Sequence, residues 1–173
     1  IDFARGRFRI NIELKYNVPD PQLAAAVVAL LRDKQFLDQV VITSLDHASL
    51  QQVEQLQPGL ETGLIVTAAV GNVLKTDTDF VSLNSARATA SLVGQARAAG
   101  KKVHVWTVNK PEVMLRMIER DVDNIITDDP ALLSQVMRDR SGLTPHEQVG
   151  VRLRVLFTQS PPELEDANSV PAL

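Results

Sequence analysis

Residues 9–15 read RINIELK and place a carboxylate, Glu13, two residues before an ammonium, Lys15. The stretch alternates strictly. Ile10, Ile12 and Leu14 point one way; Asn11, Glu13 and Lys15 point the other, the period of a β-strand. A carboxylate at the C-terminal end of a strand in a βα-barrel reaches the mouth, where it can hold a hard cation, and a lysine beside it can meet a phosphate. The plainer reading is an edge strand whose polar face meets water. Spacing alone leaves the two level.

Other residues carry weaker chemical signals. Trp106, the single tryptophan, sits in VHVWTVN and could wall a ligand, although a strand tryptophan taken singly is more often core. His104 lies two residues earlier on the same face and reads as a partly buried or surface histidine rather than a catalyst. His47 and His146 stand at helix starts. Ser44 ends a strand without the G-x-S-x-G elbow of a nucleophile, so no Ser-His-Asp triad is supported. In DVDNIITDDP the aspartates could bind a cation, but Asp129 is explained by capping the next helix. Neither G-x-G-x-x-G nor G-x-x-x-x-G-K-[ST] occurs, which removes the main support for dinucleotide and P-loop sites.

The elements that must position these residues alternate. Strands are expected at residues 10–15, 40–45, 62–70, 79–84, 101–109 and 124–127. Helices are expected from Pro21, capped by Asp20, to about Lys34; over 47–56; over 85–100; from Pro111; and from Pro130 to about Met137. Strand-then-helix order predicts a parallel sheet with covering helices, an α/β fold. Thr144 to Glu147 is a capping-box signature, and Val149, Leu153, Leu156 and Phe157 form an apolar stripe beyond it. From Gln159 the chain is Pro-rich and acidic and is expected to fray.

Composition excludes several classes. With 45% hydrophobic and 23% charged residues the 173-residue chain is globular. A net charge of -3 and the lack of any Lys/Arg block argue against nucleic acid. Cysteine is absent, so disulfides, thiolate metal sites and cysteine nucleophiles are excluded.

Taken together, INIELK, VVITSLDHASLQQV, TGLIV, VHVWTVN and DVDNIITDDP resemble, in order and spacing, the C-terminal part of glycerophosphodiester phosphodiesterase domains. The resemblance runs from about Ile10 to Val136 and is similar to the bacterial type that carries a membrane-spanning region. It implies the C-terminal portion of a TIM (β/α)8 barrel with its N-terminal staves missing. It also implies metal-dependent hydrolysis of glycerophosphodiesters to sn-glycerol 3-phosphate and an alcohol, with a divalent cation, Ca²⁺ or Mg²⁺. By that likeness Glu13 is the metal ligand and Lys15 faces the substrate phosphate. Trp106 stands at the mouth, and Ser44 and Asn84 line the same face at strand ends.

The family's two catalytic histidines lie in HRG and HD motifs ahead of IELK, with an E-x-D pair, and none of the three appears ahead of IELK here. No catalytic residue is therefore assigned, and the chain alone is expected to be inactive and to self-associate through open sheet edges. Asp121 stands where the family usually has glycine, which puts that turn's geometry in question. The expected organisation is a partial barrel over 1–140, an amphipathic helix over 141–158 and a flexible tail over 159–173. Two other classes remain open. One is a non-catalytic module binding a phosphorylated ligand; the other is an interaction domain acting through the C-terminal helix.

Overall fold

In the computed structural model, the structure describes residues 1–15, 20, 22–67, 73–144, 146, 147 and 149–151. Six five-residue or shorter strands form one parallel sheet: β1 Ile10–Leu14, β2 Val40–Ser44, β3 Thr62–Val66, β4 Phe80–Asn84, β5 Lys102–Trp106 and β6 Asn124–Ile125. Their spatial order is their chain order, β1-β2-β3-β4-β5-β6. Among the described residues β1 and β6 each pair on one side only. The helices are α1 Leu23–Asp33, α2 His47–Leu56, α3 Ala90–Ala98, α4 Pro111–Glu119 and α5 Pro130–Ser141. This is the parallel sheet with covering helices that the strand-helix alternation predicts, and it matches the partial barrel that the family resemblance implies.

The register decides which residues face where. Glu13 pairs Thr43, Thr43 pairs Gly63, Gly63 pairs Phe80, and Phe80 pairs Lys102. With period two, Asn11, Glu13, Thr43, Gly63, Phe80, Ser82, Asn84, His104 and Trp106 share an inner face. Leu14, Ile42, Leu64, Val81 and Val105 share the outer one and join Ala24, Val28, Leu50 and Val53 of the helices in the core. The central strands are apolar outward because helices cover them there. Inward, Phe80, Ser82 and Thr43 are also buried. The inner side chains bury one another, as in a barrel interior.

One contact on this face is sterically exacting. A Cβ built on Gly63 would fall inside the Phe80 ring. The ring lies over the bare backbone of its pairing partner and stacks on His104, with centroids 3.9 Å apart and 24° between planes. Glycine is needed here for space rather than for its backbone freedom.

Several boundaries differ from those expected. Helix α1 starts at Leu23 rather than Pro21. Asp20 accepts the Gln22 N–H at 2.9 Å, an Asx-type turn set just before the first helical residues. Helix α3 starts at Ala90 rather than Ser85, because the Thr89 hydroxyl accepts from Leu92 N–H at 3.2 Å and 85–87 form a turn. Between β3 and β4 the described residues hold only a 3-10 turn, Val73–Lys75, held by buried Lys101, whose Nζ donates to the carbonyls of Thr76 and Thr78. Helix α5 runs to Ser141, beyond Met137.

Asp121 adopts φ +60, the left-handed conformation that glycine favours, so the turn keeps that geometry with an aspartate in it. Arg97 binds it at 2.9 Å. The Thr144–Glu147 capping box forms, Glu147 accepting the Thr144 N–H at 2.8 Å. Most of the expected 141–158 helix, including Leu153, Leu156 and Phe157, and all of the 159–173 tail lie outside the described residues. No helix among the described residues is long and apolar enough to cross a membrane.

The Gly63 contact is testable. Gly63→Ala is expected to lower the unfolding free energy by about 1–3 kcal/mol, the cost of overpacking a filled core, read as a reduced urea midpoint. A companion Gly94→Ala, where an added Cβ meets nothing within 4 Å, should not lower it.

Candidate functional site

Parallel strands deliver their C-terminal ends to one rim, and there the inner face presents Glu13 on β1, Asn84 on β4 and Trp106 on β5. Asn84 and Trp106 are direct pairing partners. Glu13 is exposed, and Lys15, one residue past the strand, is exposed as well. Four of the five residues singled out from the sequence therefore gather at one end of the sheet.

The fifth does not. Ser44 pairs Leu14 and shares its outward face, opposite Glu13. It is fully buried, and its hydroxyl donates to the Leu14 carbonyl at 2.8 Å while accepting the Asp46 N–H at 3.1 Å. The expectation that Ser44 lines the ligand face is corrected on that ground. Its position braces the end of β1, and hence Glu13 and Lys15, against the start of α2. A β-strand reverses side-chain direction at every residue, and Thr43 is the residue of β2 that faces inward, donating to Asn11 Oδ1 at 2.9 Å.

Asn84 is tied to its own loop: its Oδ1 accepts the Ala86 N–H at 2.9 Å, leaving the amide nitrogen for other partners. The Trp106 indole N–H is buried and makes no hydrogen bond among the described residues. Its backbone carbonyl is held by Ser85 N–H at 3.0 Å.

Below this rim the interior is charged and aromatic. Glu61, just before β3, bridges Arg9 Nη2 at 2.5 Å and Lys102 Nζ at 2.8 Å. Burial alone would raise the Glu61 carboxyl, but the hydrogen bonds from Lys102 and Arg9 outweigh it and hold it below its usual value. This bridge lies in a cleft of about 370 Å³ at the N-terminal ends of the strands, opposite the rim, lined in part by Arg9, Asn11, Glu61, Lys102, His104 and Asn124. His104 is 8% exposed, and its Nδ1 has no hydrogen-bond partner among the described residues. Burial pushes its pKa down to about 4, against the pull of Glu61 and Asp123.

Outside this face, His47 Nε2 meets Asp77 at 2.6 Å, and Asp46 caps α2 by accepting from Ala48 and Ser49 N–H. At the loops after β5 and β6, Asn109, Thr127 and Asp128 form a hydrogen-bonded group that sequence reasoning passed over. Its signal was present as WTVN and ITDDP, but nothing in strand or helix periodicity couples two loops.

A divalent cation was tested against the donors present. Glu13 is an exposed carboxylate with the hard oxygen such a cation prefers. Yet among the described residues no group of three or more His, Asp or Glu side chains could hold a metal ion. Glu13 can serve as one ligand; the described residues do not make a complete site.

Comparison with known proteins bears on this rim. The model of the glycerophosphoryl diester phosphodiesterase family matches residues 7–132. A glycerophosphodiester phosphodiesterase of Caldanaerobacter subterraneus subsp. tengcongensis is 30% identical over 136 residues, 76% of this chain and 56% of the relative. A solved structure from Silicibacter pomeroyi superimposes with TM-score 0.71 at 27% identity, over 77% of this chain and 51% of that one. A phosphodiesterase of Oleispira antarctica, solved with the product sn-glycerol-3-phosphate, shares the fold at TM-score 0.64 and 23% identity, over 75% of this chain and 55% of that one. The chain thus spans little more than half the length of the relatives it matches.

The buried histidine makes stability pH-dependent. Folded His104 resists protonation until about pH 4, whereas the unfolded chain takes up that proton near pH 6.5. The unfolded state therefore binds more protons between these values. The stabilisation is complete above about pH 6.5 and is lost as pH falls toward 4, by about 3 kcal/mol in all. Thermal melts between pH 7 and pH 4.5 should show this slope, and His104→Leu, which removes the ionisable ring, should flatten it.

Proposed function

The chain belongs to the glycerophosphoryl diester phosphodiesterase family, and from that premise we propose that its strand-end rim serves the hydrolysis of glycerophosphodiesters to sn-glycerol 3-phosphate and an alcohol. The observation that carries the reading is the gathering of Glu13, Lys15 and Trp106 at the C-terminal ends of β1 and β5. Barrel enzymes place their chemistry at that end. The product bound by the Oleispira antarctica relative is of the matching chemical class.

Each residue then has a role. The Lys15 ammonium offsets charge on the non-bridging phosphate oxygens, which grows as the phosphorus is attacked. The Trp106 ring forms an apolar wall beside the glycerol carbons and excludes water from that side. Glu13 supplies one carboxylate oxygen to a divalent cation, Ca²⁺ or Mg²⁺, whose chemistry when bound is to polarise a phosphoryl oxygen. Asn84, beside Trp106, has an amide nitrogen that no described residue is shown to engage. No histidine of this chain is a candidate acid or base at the rim. His104 is one inward position below Trp106 and buried, His47 is engaged with Asp77, and His146 follows α5. The chain by itself is therefore a binding half, with proton transfer supplied from outside it.

The test is binding rather than turnover. Titrating sn-glycerol 3-phosphate into the chain should change Trp106 emission saturably. Lys15→Ala should weaken that binding roughly tenfold, about 1.4 kcal/mol, and Glu13→Gln should abolish any enhancement by Ca²⁺ or Mg²⁺. An emission that ignores the ligand, or a Lys15→Ala variant that binds equally well, would refute the reading.

A further inference from the structure

We propose that Asn109 is the positioning residue for the Trp106 indole. It ties the loop that follows β5 to the loop that follows β6 and so fixes the ring at the rim. The proposal rests on the functional reading for why that ring matters, but not for the clamp itself.

The need for a clamp comes from Trp106. Its N–H makes no hydrogen bond among the described residues, so the indole has no directional contact of its own. What remains is packing and the backbone that carries it. That backbone is held on one side by Ser85 N–H donating to the Trp106 carbonyl at 3.0 Å. On the other side strand β6 is only two residues long, Asn124–Ile125. Two backbone bonds extend the pairing past it: Ile126 N–H to Val105 carbonyl at 2.8 Å and Val108 N–H to Ile126 carbonyl at 2.9 Å. Among the described residues, 106 and 107 have no such bond to this side.

Asn109 closes the span. Its Oδ1 accepts twice, from Thr127 Oγ at 3.1 Å and from Asp128 N–H at 3.0 Å, and its Nδ2 donates to Asp128 Oδ2 at 2.7 Å. Only a side chain with an acceptor and a donor on one planar group, at this length, makes all three. Thr127 Oγ in turn accepts the Asp129 N–H at 3.1 Å, and Asp129 caps α5 through Leu132 N–H at 2.9 Å. The clamp therefore anchors the loop after β5 to a helix end rather than to another loose segment. All of these groups stand at the C-terminal end of the sheet, the end that carries Trp106.

Chemistry makes the assignment falsifiable through a swap. In Asn109→Asp the two acceptor bonds survive, but a second carboxylate faces Asp128 and the donor is lost. Adding Asp128→Asn restores a donor on the opposite side of the same bond, so the double variant keeps all three contacts with the charge moved. The single tryptophan makes the readout specific. Acrylamide quenching and emission maximum of Trp106 are measured in the full 173-residue chain, with a thermal melt of each variant.

Asn109→Asp should raise the quenching constant at least twofold and shift the emission, Thr127→Val should give an intermediate change, and the double variant should return to wild-type values. A single variant with wild-type Trp106 signals overturns the proposal. So does a change that the double variant fails to reverse, or one present only where the melt shows the whole chain unfolding. Titration with sn-glycerol 3-phosphate separates the two readings. If wild-type emission ignores the ligand while the swap still controls Trp106, the functional reading fails and the clamp stands.

Discussion

Phe80 has room for its ring only because its pairing partner is Gly63. That one steric fact constrains the sheet. The ring folds over the neighbouring strand's backbone and reaches His104 on the other side, so three adjacent strands are locked in one register. A one-residue slip of β3 against β4 would set Thr62 or Leu64 under the ring and reverse the faces of the slipped strand. A slip that reversed β4 or β5 would turn Asn84 or Trp106 toward the helices. The rim exists because the interior below it packs in one way.

Burial and charge are arranged in layers along the same face. At the bottom Glu61 is paired by Arg9 and Lys102. Above it, His104 stays neutral against Phe80. At the top Glu13 is exposed and the Trp106 N–H has no partner among the described residues. Unmet polar groups cost free energy unless something else supplies the partner. The Trp106 N–H and the exposed Glu13 carboxylate stand where a ligand can supply the partner, whereas His104 below is buried and stacked on Phe80, its Nδ1 unpartnered among the described residues.

Much of this was legible in the sequence. The alternation of RINIELK identified the face of Glu13, and the strand-helix order identified the parallel sheet. The motifs pointed to the family. Ser44 was misread because VVITS carries no apolar/polar alternation, all five residues being buried, and only the pairing with Leu14 reveals its direction. Strand β6 and the start of α3 were overextended because Ile126 and Ser85 suit the element types assigned to them; backbone bonds and the Thr89 cap decide otherwise. The Gly63–Phe80–His104 stack and the Asn109 network join residues 17 to 24 positions apart or in separate loops, beyond the reach of any local pattern.

The central claim is that Glu13 and Trp106 stand on one inner face. The chain has no cysteine and a single tryptophan, which makes energy transfer the direct measurement. A dansyl-type acceptor is placed on a cysteine at position 13, or for comparison at exposed Leu30 on the outer helix α1. Strong quenching of Trp106 by the acceptor at 13 and weak quenching from 30 is the result this structure predicts. Equal transfer from both, or stronger transfer from 30, would contradict it.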